Sequence, residues 1–157
     1  MGRAKPAEAA EYYEKAREAF NKTTALAPAD GSYWNSWALA LAESKRMEEA
    51  RAALAKAIEL DPAGAGKYHY NLGVFLLTAN KAQEALDEFK RAIDSDPNYA
   101  EGHFQYGVAL LANATMDASG KLAAPPGAVE ALRKYIALKP DGPNAQAARE
   151  ILSSLGK

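Results

Sequence analysis

Residues 69–97 read HYNLGVFLLTANKAQEALDEFKRAIDSDP, and this stretch decides the fold. His69, Leu72, Gly73 and Leu76 fall on one face of a first helix, and Ala85 and Phe89 on one face of a second. Pro97, which lacks a backbone N–H and clashes with the preceding turn, ends the second helix. Working outward, prolines also stand at Pro28, Pro62 and Pro140, giving successive intervals of 34, 35 and 43 residues. An alanine lies 12 residues before each proline (Ala16, Ala50, Ala85, Ala128), with a large apolar residue four places later (Phe20, Leu54, Phe89, Leu132). The second helices open on Tyr13-Glu14-Lys15-Ala16, Met47-Glu48-Glu49-Ala50 and Ala82-Gln83-Glu84-Ala85. The first helices repeat as well. Trp34, Trp37, Ala38 and Leu41 have the same spacing as His69, Leu72, Gly73 and Leu76, and as His103, Tyr106, Gly107 and Leu110. The small residue in each set lets two helices approach closely, while the large ones fill the groove between them.

Composition agrees with a purely helical chain. Alanine, leucine, lysine and glutamate dominate, and β-branched residues never form an alternating run. A length of 157 residues suits one domain. The formal charge of -1 offers no positive field for nucleic acid or anionic lipid, so neither is expected as a partner. The absence of cysteine excludes disulfides, thiolate metal sites and cysteine nucleophiles, and fits a reducing or an oxidising compartment equally. No apolar run approaches the roughly 20 residues that span a bilayer. The expectation is a soluble chain, with cytoplasm and bacterial periplasm both compatible.

The repeated pattern resembles the tetratricopeptide repeat, a helix-turn-helix unit of about 34 residues with the signature W-x2-L-G-x2-Y, then A-x3-F, then P. The resemblance covers nearly the whole chain. It implies an all-α fold, a right-handed superhelix of such repeats (an α-solenoid) with a C-terminal capping helix. In this reading one domain comprises a partial first repeat at 6–30, repeats at 31–65 and 66–100, a repeat at 101–142 with an insertion at 113–127, and a capping helix at 143–156. The first unit lacks a complete first helix, since only Pro6 to Glu11 precede Tyr13, so the chain is read as beginning inside a longer array. The insertion holds Asp117-Ala118-Ser119-Gly120 and Pro125-Pro126-Gly127, and predicts an extended helix followed by a surface loop. In the capping helix Ala148, Ile151, Leu152 and Leu155 face inward, and Gln146, Arg149, Glu150 and Ser153 face water. The ending from Ala128 to Leu155 is similar to bacterial envelope and assembly proteins that carry such repeats.

Little in the sequence suggests chemistry. His69 and His103 lie 34 residues apart at the place of Trp34, so each is expected to pack within its own unit rather than share a metal. Glu48, Glu49, Glu84 and Glu88 sit near basic residues at helical spacing and are expected to form solvated ion pairs. Asp117 and Ser119 lack the alternating acidic ligands of a calcium loop. No enzyme activity, metal or cofactor is therefore expected.

In repeats of this kind the first helix of each unit lines a concave side, which makes that side the candidate surface for another protein or peptide. The expected peptide-binding residues are Asn35, Leu39, Tyr70, Asn71, Val74, Phe104, Gln105 and Val108. Tyr70, Val74, Phe104 and Val108 would grip an apolar side chain, and the amides would bond an extended backbone. Some family members bind acidic chaperone tails through a clamp of basic residues beside an asparagine. Only Asn71 matches that clamp here, since Asn35, Glu101 and Gln105 stand where basic groups would be needed. The alternative function is assembly with a second copy, in which the incomplete first unit buries Tyr12, Tyr13 and Phe20.

Overall fold

A computed structural model describes residues 6–26, 30–112, 114–116 and 122–156. Among them are eight α-helices: α1 (Pro6–Leu26), α2 (Gly31–Glu43), α3 (Met47–Leu60), α4 (Ala65–Thr78), α5 (Ala82–Ser95), α6 (Ala100–Leu111), α7 (Ala128–Leu138) and α8 (Ala145–Ser154). Each helix packs chiefly on its neighbours in sequence, the contact pattern of a one-dimensional array. The fold is an all-α helical-repeat solenoid. Pro28, whose place in the proline series was read from sequence, lies outside the described residues, as do Asn113 and the Asp117 to Gly120 turn.

The pairs α2/α3, α4/α5 and α6/α7 interlock where the sequence places its small residues. A Cβ added at Gly73 would lie 2.5 Å from the Phe89 ring, and one at Gly107 would lie 3.0 Å from Leu132. Ala38 holds the same place in the first pair and is fully buried, as are Ala50, Leu54, Ala85, Phe89, Ala128 and Leu132 on the second helices. Burying each of the large side chains among these contributes roughly 1.5–3 kcal/mol.

The turns inside two of the pairs have the same construction. After α2, Lys45 adopts φ 62° and Arg46 N–H bonds the Leu41 carbonyl at 2.8 Å. After α4, Asn80 adopts φ 59° and Lys81 N–H bonds the Leu76 carbonyl at 2.9 Å. One left-handed residue thus closes each first helix and satisfies its last carbonyls. Between pairs, Asp61 accepts from Gly64 N–H at 3.1 Å and from the Tyr68 hydroxyl at 2.7 Å, tying α3 to α4 across Pro62.

Both ends of the array differ from its middle. α1 is one helix that packs on α2 through aromatic rings: Phe20 stacks on Trp37 and meets Trp34 edge-on, each at 5.0 Å, and Tyr13 lies 5.4 Å from Trp37. The Arg46 guanidinium sits over the Tyr13 ring at 4.4 Å. At the other end α8 buries Ala145, Ala148 and Leu152 and presents Gln146, Arg149, Glu150 and Ser153 to water. The fully buried Tyr135 holds it, its hydroxyl accepting from Asn144 N–H at 3.0 Å.

The insertion departs from the sequence reading. Instead of extending, α6 stops at Leu111, and Thr115–Met116 pairs antiparallel with Leu122–Ala123 in a minimal two-stranded hairpin. The β-branched Thr115 suits a strand, whereas the helix reading followed the preceding alanines and leucines. Gly127, at φ 87°, then turns the chain into α7.

Lysine in the left-handed region carries a steric cost that glycine does not, so Lys45→Gly should raise stability by about 1 kcal/mol in urea unfolding. An unchanged or lower midpoint would contradict the strained turn.

Candidate interaction surface

The repeat places equivalent residues of α2, α4 and α6 in rows across the three helices. Asn35, Tyr70 and Phe104 form one row, Ser36, Asn71 and Gln105 a second, and Leu39, Val74 and Val108 a third. The sequence-predicted residues therefore hold equivalent places on α2, α4 and α6, but their exposures differ. Leu39 is 41 % exposed, while Tyr70, Asn71, Val74, Phe104, Gln105 and Val108 are half-buried. Asn35, expected on the open face, is only 4 % exposed.

The burial of Asn35 has a partner that the sequence reading missed. Asn71 Nδ2 donates to Asn35 Oδ1 at 2.7 Å, joining α4 to α2. The next step of the array repeats the register, with the Gln105 amide beside the Tyr70 hydroxyl. In both cases an amide reaches the side chain one place earlier in the preceding unit. Two of the predicted amides thus hold the layer together, and the signal was their fixed offset from one unit to the next.

Aromatic residues brace the same layer from beneath. Tyr70 lies 5.4 Å edge-on to Tyr99 and 6.0 Å from Phe89, and Phe104 lies 5.3 Å from Tyr135. Burial pushes the Tyr70 phenol above its ordinary pKa and that of Tyr99 to about 12, so both stay neutral in ordinary buffers. At the edge of the layer Lys139 bonds Glu101 from α7's end. Burial works against the charged Glu101 carboxylate, but the Lys139 bond, a backbone hydrogen bond and the Lys139 charge together outweigh it and hold the group below the usual carboxylate range. What remains open on the layer is largely apolar and amide in character.

The histidines take different partners. His69 Nδ1 lies 2.6 Å from Glu88 Oε2, and Arg91 donates to the other Glu88 oxygen at 3.1 Å. Glu88 was expected on a solvated face and is instead buried, because the units on either side carry Ala53 and Ala131 at its place. A carboxylate at a repeat's small-residue position needs an internal partner, and His69 supplies it. His103 Nε2–H donates to the Pro97 carbonyl at 3.0 Å. At the same place in the first pair the buried Trp34 Nε1 makes no hydrogen bond among the described residues. Among the described residues, no three histidine, aspartate or glutamate side chains gather as a metal ion would need. Among the same residues no helix is long and apolar enough to cross a membrane.

Glu88→Ala should cost about 1–3 kcal/mol by stranding His69. Adding His69→Trp recreates the pairing of Trp34 with Ala53 and should recover at least half of the loss in urea unfolding. A double variant no more stable than Glu88→Ala would contradict the pairing.

The comparisons agree with the fold. The described fold matches 98 solved chains. One is MamA, 22% identical with a TM-score of 0.62, over 92% of this chain and 81% of that one. Another is YrrB, described as a TPR protein with an unusual peptide-binding site, 23% identical with a TM-score of 0.61, over 89% of this chain and 67% of that one. At these identities the likeness is one of fold. No curated protein matches the chain. A sequence profile of the tetratricopeptide repeat matches residues 1–65 and 70–143, and the chain belongs to that family.

Proposed function

We propose that the protein is an interaction scaffold that holds an extended peptide across α2, α4 and α6 and performs no chemistry itself. The observation that carries this reading is the row of Leu39, Val74 and Val108, which offers one apolar side chain on each of three adjacent helices. Packed helices lie about 8–10 Å apart, and a peptide in the polyproline II conformation advances about 3.1 Å per residue with three residues per turn. A peptide crossing the helices therefore meets the row with about every third side chain. The neighbouring amides of Asn71 and Gln105 keep hydrogen-bonding capacity beyond the bonds they make within the layer, and suit a peptide backbone. YrrB, of similar fold, is described as having a peptide-binding site, which supports the same use here.

The reading is tested by selecting binders from a random peptide library on the immobilised protein. The selected peptides should carry apolar residues three apart. Their affinity should fall at least tenfold for a Leu39→Asp, Val74→Asp variant whose circular dichroism is unchanged. Peptides without that spacing, or with affinity unaffected by the variant, would contradict it.

A further inference from the structure

We infer that the Asn35–Asn71 pair is a subsite for a side-chain carboxamide, so that the peptide carries a glutamine or asparagine between the residues that meet Leu39 and Val74. This rests on the peptide reading above and gives it one polar specificity. Each carboxamide has two N–H donors and one carbonyl acceptor. Asn71 Nδ2 gives one donor to Asn35 Oδ1 at 2.7 Å, and among the described residues neither Asn35 Nδ2 nor Asn71 Oδ1 is bonded. The fully buried side-chain nitrogens and oxygens without a partner in that set are Trp34 Nε1 and Ser44 Oγ, so the unbonded Asn35 amide reaches solvent although its residue is only 4 % exposed. The pair thus holds out a donor from Asn35 and an acceptor from Asn71, the complement of a single carboxamide. Turning both amides over leaves the same set of one donor and one acceptor.

The occupant's chemistry follows from depth and placement. Asn35 precedes Leu39 by four residues on α2, and Asn71 precedes Val74 by three on α4, which sets the pair about 4.5–6 Å from the apolar row. A main chain resting on Leu39 and the half-buried Val74 stays above a residue buried as deeply as Asn35, whereas the tip of a glutamine side chain reaches down to it. In a polyproline II peptide every third residue faces the row, and the two between lean to either side of it, one of them toward the pair. A carboxylate brings no donor for Asn71 Oδ1, and an ammonium brings no acceptor for Asn35 Nδ2. An apolar side chain would cover both groups and leave them unpaired. The next step of the array lacks the pair, since Gln105 stands beside the Tyr70 hydroxyl. The carboxamide therefore also sets the register of the peptide on the helices.

The test takes library-selected peptides and places glutamine, glutamate, methionine or lysine, in turn, at each position between the first two apolar anchors, with affinities read by fluorescence anisotropy. At one of these positions glutamine should bind at least tenfold more tightly than methionine or glutamate. Asn71→Asp keeps the shape and still bonds Asn35, but leaves acceptors alone facing the peptide. That variant, with unchanged circular dichroism, should lose the glutamine preference and favour lysine. Peptides that lose affinity in the Leu39→Asp, Val74→Asp variant yet bind equally with all four residues would overturn the subsite and leave the scaffold reading standing. A preference for glutamate would also overturn it, assigning the position to Lys67, which is exposed one turn before Asn71. So would a glutamine preference that survives Asn71→Asp. Peptides indifferent to the Leu39→Asp, Val74→Asp variant, or none selected at all, would overturn both readings.

Discussion

The structure depends on one close approach. In each pair a small residue of the first helix meets an alanine and a large side chain of the second, and the meeting is tight enough that a methyl group at Gly73 would enter the Phe89 ring. Helices that cross this closely bury Leu54, Phe89 or Leu132 completely, and the short left-handed turns at Lys45 and Asn80 deliver the second helix onto the first. Once pairs form, stacking follows, because each leaves its flank to the next: Asp61 takes bonds from Gly64 and Tyr68, and Asn71 reaches back to Asn35.

The same constraint shapes the surfaces. Equivalent positions of α2 and α4 are brought together by the repeat, as the Asn71–Asn35 bond shows, and Leu39, Val74 and Val108 hold the same place in their units. α8 turns a polar side to water. α1 packs Tyr13 and Phe20 on the tryptophans of α2.

Much of this was legible in the sequence because the repeat supplies its own controls. Ala16, Ala50, Ala85 and Ala128 recur at one distance from proline, which identifies the helices and their order, and the last three are fully buried. Single-position departures were harder to read. Glu88 looks like any helix-surface glutamate until it is set beside Ala53 and Ala131, and Asn35 looks exposed until Asn71 is seen to bond it. Both depend on side chains brought from another helix, which periodicity along one helix cannot show. The α6 ending was misread for a related reason: alanine and leucine favour helix locally, while the hairpin of Thr115–Met116 with Leu122–Ala123 is a pairing between segments.

The most direct test of the close approach compares Gly73→Ala with Gly102→Ala in chemical unfolding. Both sites are in helices, where alanine is favoured over glycine by about 1 kcal/mol. At Gly102 the nearest atoms to an added Cβ stand 3.1 Å away and belong to the Ile93 and Tyr99 side chains, whereas at Gly73 the buried Phe89 ring stands at 2.5 Å. Gly102→Ala should be neutral or stabilising and Gly73→Ala clearly destabilising. Equal stabilisation by both substitutions would show that the crossing does not require glycine, and would contradict the account.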